Sequence, residues 1–132
     1  MSDSAPCPCG SGQPFSACCG PFIRGEQWPE TAEQLMRSRY TAFTLEAVDY
    51  LLETWHPSTR PETLEPEPQK WLGLQIRRTE AGGPDDEEGI VEFVARSKVG
   101  GRARRLHEVS RFRRDGGRWR YVDGDILPDS RW

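Results

Sequence analysis

No stretch of this 132-residue chain is apolar for long enough to cross a bilayer. The opening Ser2, Asp3 and Ser4 lack the basic and then apolar pattern of a secretory leader, so a soluble, cytoplasmic protein without membrane insertion is expected. There is no internal repeat, and the length excludes two independent large domains. One compact domain fits, with a small appendage too short to bury a core of its own. Hydrophobic residues make up only 35% of the chain, so five Trp, five Phe and three Tyr must supply bulk that aliphatic side chains would otherwise provide.

Net charge is small and charge is unevenly placed. The net value of −3 conceals ten basic residues between Arg96 and Arg120 against two acidic ones, Glu108 and Asp115, a local surplus of eight. Two readings are open for that surplus, a polyanion partner or the solvated face of a sheet, and the second is favoured.

Residues 1–26 are rich in Cys, Gly, Pro and Ser and show no helical or strand period. After Trp28 and Pro29 the pattern changes. Thr31 followed by Gln34 matches a capping box, and Ala32, Leu35, Met36, Arg39, Tyr40 and Phe43 recur at helical spacing, predicting a helix from about Thr31 to Leu45. Val48, Leu51, Leu52 and Trp55 predict a second, shorter helix that stops near His56, because Pro57 disfavours helical geometry there. An irregular connection with Pro57, Pro61, Pro66 and Pro68 follows. Four strands are then expected over 70–79, 89–98, 103–114 and 118–125, separated by an acidic loop at 82–86, by Gly100 and Gly101, and by Asp115, Gly116 and Gly117. Short connections imply an antiparallel meander. Helices followed by a meander give an α+β layer, one sheet face packed on the helices and the other wet.

The four cysteines all lie between Cys7 and Cys19. In a reducing compartment thiols this crowded point to a metal rather than to disulfides, and a bridge between the adjacent Cys18 and Cys19 would be strained. Zinc suits four thiolates in a tetrahedron, with iron as the alternative ion and free thiols as the bland one. Gly10 and Gly12 are expected to turn backbone donors toward the sulfurs, Ser11 to add a hydroxyl, Phe15 to form a small apolar prop and Arg24 to offset charge.

The ligand spacing departs from common zinc fingers, with one residue inside the first pair and none inside the second. The run CPCGSGQPFSACCG resembles the SEC-C motif, the small metal knuckle also found at the end of the SecA translocation ATPase. That resemblance implies Cys7, Cys9, Cys18 and Cys19 as the ligands. Further along, LMRSRYTAF (35–43), DYLLETWHPSTR (49–60), WLGL (71–74), FVAR (93–96), HEVSRF (107–112) and WRYVDG (119–124) resemble the bacterial YchJ family. The resemblance implies an NTF2-like domain over 27–132, a curved antiparallel sheet wrapped on N-terminal helices around a conical cavity. Some members of that family carry a second knuckle after the sheet; with Trp132 so soon after the last strand, none is expected here.

Alternation on the third strand places Leu106, Glu108, Ser110 and Phe112 on the inner face, and alternation on the fourth aligns Trp119, Tyr121 and Asp123. Glu108 then needs a partner, an arginine such as Arg39 or Arg37, or else the space around it is a polar pocket. His56 at a helix end is a candidate proton donor, with a plain capping role as the bland reading.

Two functions compete. The favoured one is a non-enzymatic binding protein whose knuckle docks a protein, the ribosome or RNA, since a metal with four protein ligands has no open position for hydrolysis. The alternative is a small-molecule isomerase, lyase or ligand binder, using Glu108 or Asp123 as base and His56 or Tyr121 as acid or oxyanion donor. Thiol-based redox or metal sensing is a weaker third reading. A homodimer is expected by analogy with open sheets of this class.

Overall fold

The computed structural model describes residues 4–65 and 69–127, so Pro66, Pro68 and Trp132 lie outside it. The knuckle region contains a short 3-10 turn at Phe15–Ala17 and a single-turn helix α1 at Gly20–Ile23. Helix α2 spans Ala32–Leu45 and α3 spans Val48–Glu53. Thr31 caps α2, its hydroxyl accepting from the Gln34 amide at 3.1 Å, while Gln34 Oε1 accepts from the Glu30 amide at 2.8 Å. The box therefore closes one residue earlier than the usual reciprocal bond to the cap residue itself. Glu46, left-handed at φ 55°, ends the helix. Thr31→Ala is expected to cost about 1 kcal/mol in a denaturant titration, because one N-terminal amide of α2 loses its partner.

Helix α3 is shorter than its apolar spacing predicts. The Thr54 carbonyl accepts from the Tyr121 amide at 2.8 Å and the His56 amide donates to the Tyr121 carbonyl at 2.7 Å. These bonds pull Thr54–His56 out of helical geometry and lay Trp55 beside Tyr121 as a parallel bridge. His56 thus stands beyond the helix, against the sheet.

Strands β1 (Lys70–Ala81), β2 (Glu88–Val99), β3 (Arg102–Asp115) and β4 (Arg118–Ile126) pair in the order β1-β2-β3-β4, every pair antiparallel. All four strands run slightly past the expected ends. The β3–β4 turn is Gly116 and Gly117 at φ 61° and 82°, the doubly left-handed geometry of a tight two-residue hairpin, which glycine adopts at no steric cost. Edge strand β1 bulges at Leu72 and Arg77, which bends it and curves the sheet.

The inner face packs on α2. Buried Leu35, Met36 and Tyr40 meet Val91, Phe93, Phe112 and Trp119 in one cluster that also takes in Cys7, Cys9, Phe15 and Cys19. The knuckle therefore shares its apolar core with the larger body. None of the described helices is long and apolar enough to cross a membrane.

Candidate metal centre and the adjoining cavity

Two tight turns bring the sulfurs together. The Cys7 amide donates to Gln13 O at 2.9 Å and the Gly10 amide to Cys7 O at 3.1 Å, closing the first loop. The Phe15–Ala17 turn and α1 then deliver Cys18 and Cys19. The four Sγ atoms lie within 4.8 Å of one another. Cys9 and Cys18 are separated by 3.6 Å and Cys18 and Cys19 by 3.9 Å, and all four are free of disulfides. Ligands about 2.3 Å from a tetrahedral zinc sit about 3.8 Å apart, so the donor set fits such an ion. Four protein sulfurs would fill the tetrahedron of such an ion.

Charge explains the rest of the shell. Hydrogen bonds with Cys7 and Cys9 hold the Cys19 thiol up, and the same contacts from Cys19 and Cys9 push Cys7 down. Burial holds Cys18 up at about 11. Thiols this close cannot all ionise without a cation, so loading an ion displaces protons. Ser11 Oγ lies 3.1 Å from Cys18 Sγ, as expected. Arg24 sits over the Phe15 ring at 5.6 Å, whereas Arg37 donates to Cys9 O at 2.8 Å. Thr41 donates to Cys19 Sγ at 3.4 Å and lies 3.7 Å from Cys7 Sγ. Both Arg37 and Thr41 come from α2, distant in sequence from the cysteines, and no local spacing signals them.

On the other side of α2 a cavity of about 320 Å³ opens between helix and sheet. Its apolar walls are Tyr40, Phe43, Trp71, Phe93, Ala95 and Leu106, with the Trp71 ring 5.4 Å from Tyr40 and 6.0 Å from Phe43. The polar side centres on Tyr121, whose hydroxyl donates to Glu108 Oε2 at 3.0 Å beside a 2.5 Å bond from Ser110 Oγ. Both bonds end on one oxygen of a carboxyl that is only 9% exposed. Burial first, and then the Glu108 charge, raise the Tyr121 hydroxyl above its ordinary value. Gly124 faces this carboxyl so closely that an added Cβ would collide with Oε2. Only glycine leaves the carboxyl its place.

Arg39 is buried in the same wall, its Cζ 5.0 Å from the Trp55 ring and 4.7 Å from Tyr121. Burial lowers its pKa to about 10, so it remains a cation at neutral pH. It donates to Leu51 O at 2.8 Å and Thr54 Oγ1 at 2.7 Å, while Arg37 pairs with Glu33 at 3.0 Å. The expected arginine partner of Glu108 is therefore replaced by Ser110 and Tyr121. Trp55 Nε1 is buried without a hydrogen-bond partner among the described residues.

Two site candidates fall elsewhere. Val122 is an extra residue on β4, since Arg111 pairs with Asp123 and Phe112 with Tyr121. That bulge turns Asp123 to the outer face, where Arg111 Nε donates to it at 2.5 Å and Nη1 to Asp125 at 2.9 Å. His56 bonds Asp115 and Ser58 and does not line the cavity. Glu108 and Tyr121 converge; His56 and Asp123 do not join them.

The arginine-rich strands are largely self-engaged. Arg114 reaches Pro84 O, Arg118 and Arg120 stack on Trp28 at 4.7 and 5.4 Å, and Arg104 and Arg105 also have partners. This favours a solvated sheet face over a free cationic patch.

Comparison with known families matches residues 31–124 to "YchJ, middle NTF2-like domain" and residues 4–21 to the SEC-C motif. A UPF0225 protein of Chromobacterium violaceum is 56% identical over 91% of this chain and 92% of its own length. One from Bordetella parapertussis is 54% identical over 95% of this chain and 96% of its own. The solution structure of a SEC-C motif containing protein from Rhodopseudomonas palustris superposes with a TM-score of 0.82 at 34% identity, covering 94% of this chain and all 100% of that one. A crystal structure of a SEC-C motif containing protein from Psychrobacter arcticus, at 24% identity, shares the fold with a TM-score of 0.77 over 99% of this chain and 88% of that one.

Proposed function

Since the chain belongs to the YchJ family, whose SEC-C motif and NTF2-like domain it carries, we propose that it is a cytoplasmic, structural-zinc protein that binds a small molecule in the NTF2-like cavity. The observation that carries this reading is the buried, pre-positioned Glu108 carboxyl, held by Ser110 and Tyr121 in a cavity otherwise walled by aromatic and aliphatic side chains. Burying such a group without a use for it is costly, and convergent polar groups in an apolar pocket are the usual form of a ligand site. The thiolate centre has no open position, so its role is to fix the fold rather than to run chemistry. Four thiolates in a tetrahedron accept zinc or iron, and zinc is the ion proposed because it is the usual occupant of closed structural thiolate sites.

Benzene is a sufficient probe of the cavity itself. In the proposed reading it shifts the methyl resonances of Met36, Ala95 and Leu106 saturably, and a protein whose methyl spectrum ignores millimolar benzene is not a cavity binder. Elemental analysis of the purified protein is expected to give one zinc per chain; stoichiometric iron would reassign the ion.

A docking role for the knuckle has one specific support. Gly10 to Pro14, Ser16 and Ala17 form an exposed ridge beside Cys18, the one sulfur of the four that is not fully buried. A protein, ribosome or RNA partner would meet that ridge. Gln13→Glu with Ser16→Glu leaves every sulfur in place, so affinity capture from cell extract should lose the partner with this pair; equal recovery by both forms argues against docking there.

A further inference from the structure

A serine or threonine within a helix ordinarily turns its hydroxyl back onto a carbonyl of the preceding turn. Ser38 donates in this way to Leu35 O at 2.8 Å, Thr44 to Thr41 O at 2.6 Å and Thr54, at the end of α3, to Tyr50 O at 2.8 Å. Thr41 departs from that habit. It is 0% exposed, and among the described residues its hydroxyl bonds no carbonyl of its own helix. It donates instead to Cys19 Sγ at 3.4 Å, with Cys7 Sγ 3.7 Å away.

The sulfurs differ in how their charge can be met. Cys18 is partly open to solvent and has the Ser11 hydroxyl 3.1 Å away. Cys19 is 1% exposed, and among the described residues Thr41 is the one side chain other than a cysteine that hydrogen-bonds its sulfur. Four thiolates around one divalent ion carry excess negative charge, so a sulfur shut off from water needs a donor supplied by the protein. A hydroxyl donating to a thiolate is a charge-assisted bond, stronger than one between neutral groups. Thr41 lies outside the SEC-C match over residues 4–21 and inside the NTF2-like match over 31–124. Arg37, one turn earlier on α2, donates to Cys9 O at 2.8 Å, so the same helix meets the knuckle twice.

Resting on the structural-zinc reading above, we propose that Thr41 is a positioning residue of the metal centre, its hydroxyl holding Cys19 in place and tightening the protein's grip on the ion. The knuckle is then not a self-sufficient module. Its ion is retained in part by a helix of the neighbouring domain.

Two variants of the full-length protein separate this role from packing. Thr41→Val keeps the branched shape and loses the hydroxyl, whereas Thr41→Ser keeps the hydroxyl and loses the methyl. Each is loaded with zinc and competed against a chromophoric chelator, then loaded separately with cobalt(II), whose sulfur-to-metal charge-transfer band reports electron density on the thiolates. Thr41→Val is expected to hold zinc about tenfold or more weaker. Its cobalt band should move to longer wavelength, because a thiolate without its hydrogen bond gives up charge more readily. Thr41→Ser should stay near the wild type in both readings. Packing alone predicts the reverse order, since valine fills the site and serine leaves a gap. Wild-type affinity and an unmoved band in Thr41→Val overturn the inference and leave the zinc reading standing, as does a Thr41→Ser protein that loses as much as Thr41→Val. Should Thr41→Val fail to fold, Thr41→Ser decides alone: wild-type affinity and band support the hydroxyl's role, and their loss overturns it. A wild-type protein that takes up neither ion brings down the metal reading and this inference together.

Discussion

If the four thiolates hold the proposed zinc, a strong chelator is expected to abolish amide protection throughout the described knuckle, residues 4–26, while the β2–β3 ladder stays protected. The knuckle has little else to hold it: Phe15 is its one large buried side chain apart from the cysteines, and its regular structure amounts to a 3-10 turn and one helical turn. Zinc binding in finger peptides is worth on the order of 10–16 kcal/mol, far more than burial of one aromatic ring supplies. The β2–β3 ladder pairs continuously from Glu88 to Val99, without any contribution from the sulfurs. Loss is therefore local first. Some destabilisation should reach α2, since Arg37 and Thr41 then lose their contacts with Cys9 and Cys19. Hydrogen exchange read by mass spectrometry, before and after chelation, checks the result; a leader that stays protected without the ion would show that packing alone orders it.

The second large effect is at Trp119. Trp119→Ala is expected to lower stability by about 3–5 kcal/mol, read as a fall in the denaturant midpoint at unchanged slope. The ring is 0% exposed and packs into the main core beneath α2. Its Nε1 donates to Glu30 O at 3.0 Å, while Trp28 Nε1 donates to Trp119 O at 2.9 Å. Those reciprocal bonds strap the segment between the knuckle and α2 onto β4. Removing the indole opens a large cavity and leaves the Glu30 carbonyl without that donor, at a cost that is a large fraction of a small domain's whole stability. Trp119→Phe keeps most of the volume and should cost clearly less. A Trp119→Ala protein as stable as the wild type would mean that β4 is not held through this residue.

Much of the architecture was legible locally. The Thr31–Gln34 cap, the 3.6-residue apolar spacing up to Leu45, and the glycine pairs between alternating strands each act within a few residues, so each leaves a signal that a single sequence carries. Inner-face alternation on β3 placed Glu108 beside Ser110 correctly for the same reason. The errors share one cause. An extra residue at Val122 reverses the alternation of β4 and sends Asp123 outward, and nothing in WRYVDG marks where the bulge falls. Helix α3 ends early because Tyr121, far along the chain, binds Thr54 and His56.

The sequence by itself determined that four thiols crowd one short segment, the order of helices and strands, and the apolar faces they present, because these rest on chemistry and spacing within short windows. Only the tertiary structure decided what those elements share. It put the Arg37 and Thr41 donors of α2 against the knuckle and Arg39 of the same helix into the cavity wall. It replaced the anticipated arginine at Glu108 with two hydroxyls and a glycine-sized space. Such pairings depend on crossing angles and strand register, quantities that accumulate along the whole chain and that no local pattern encodes.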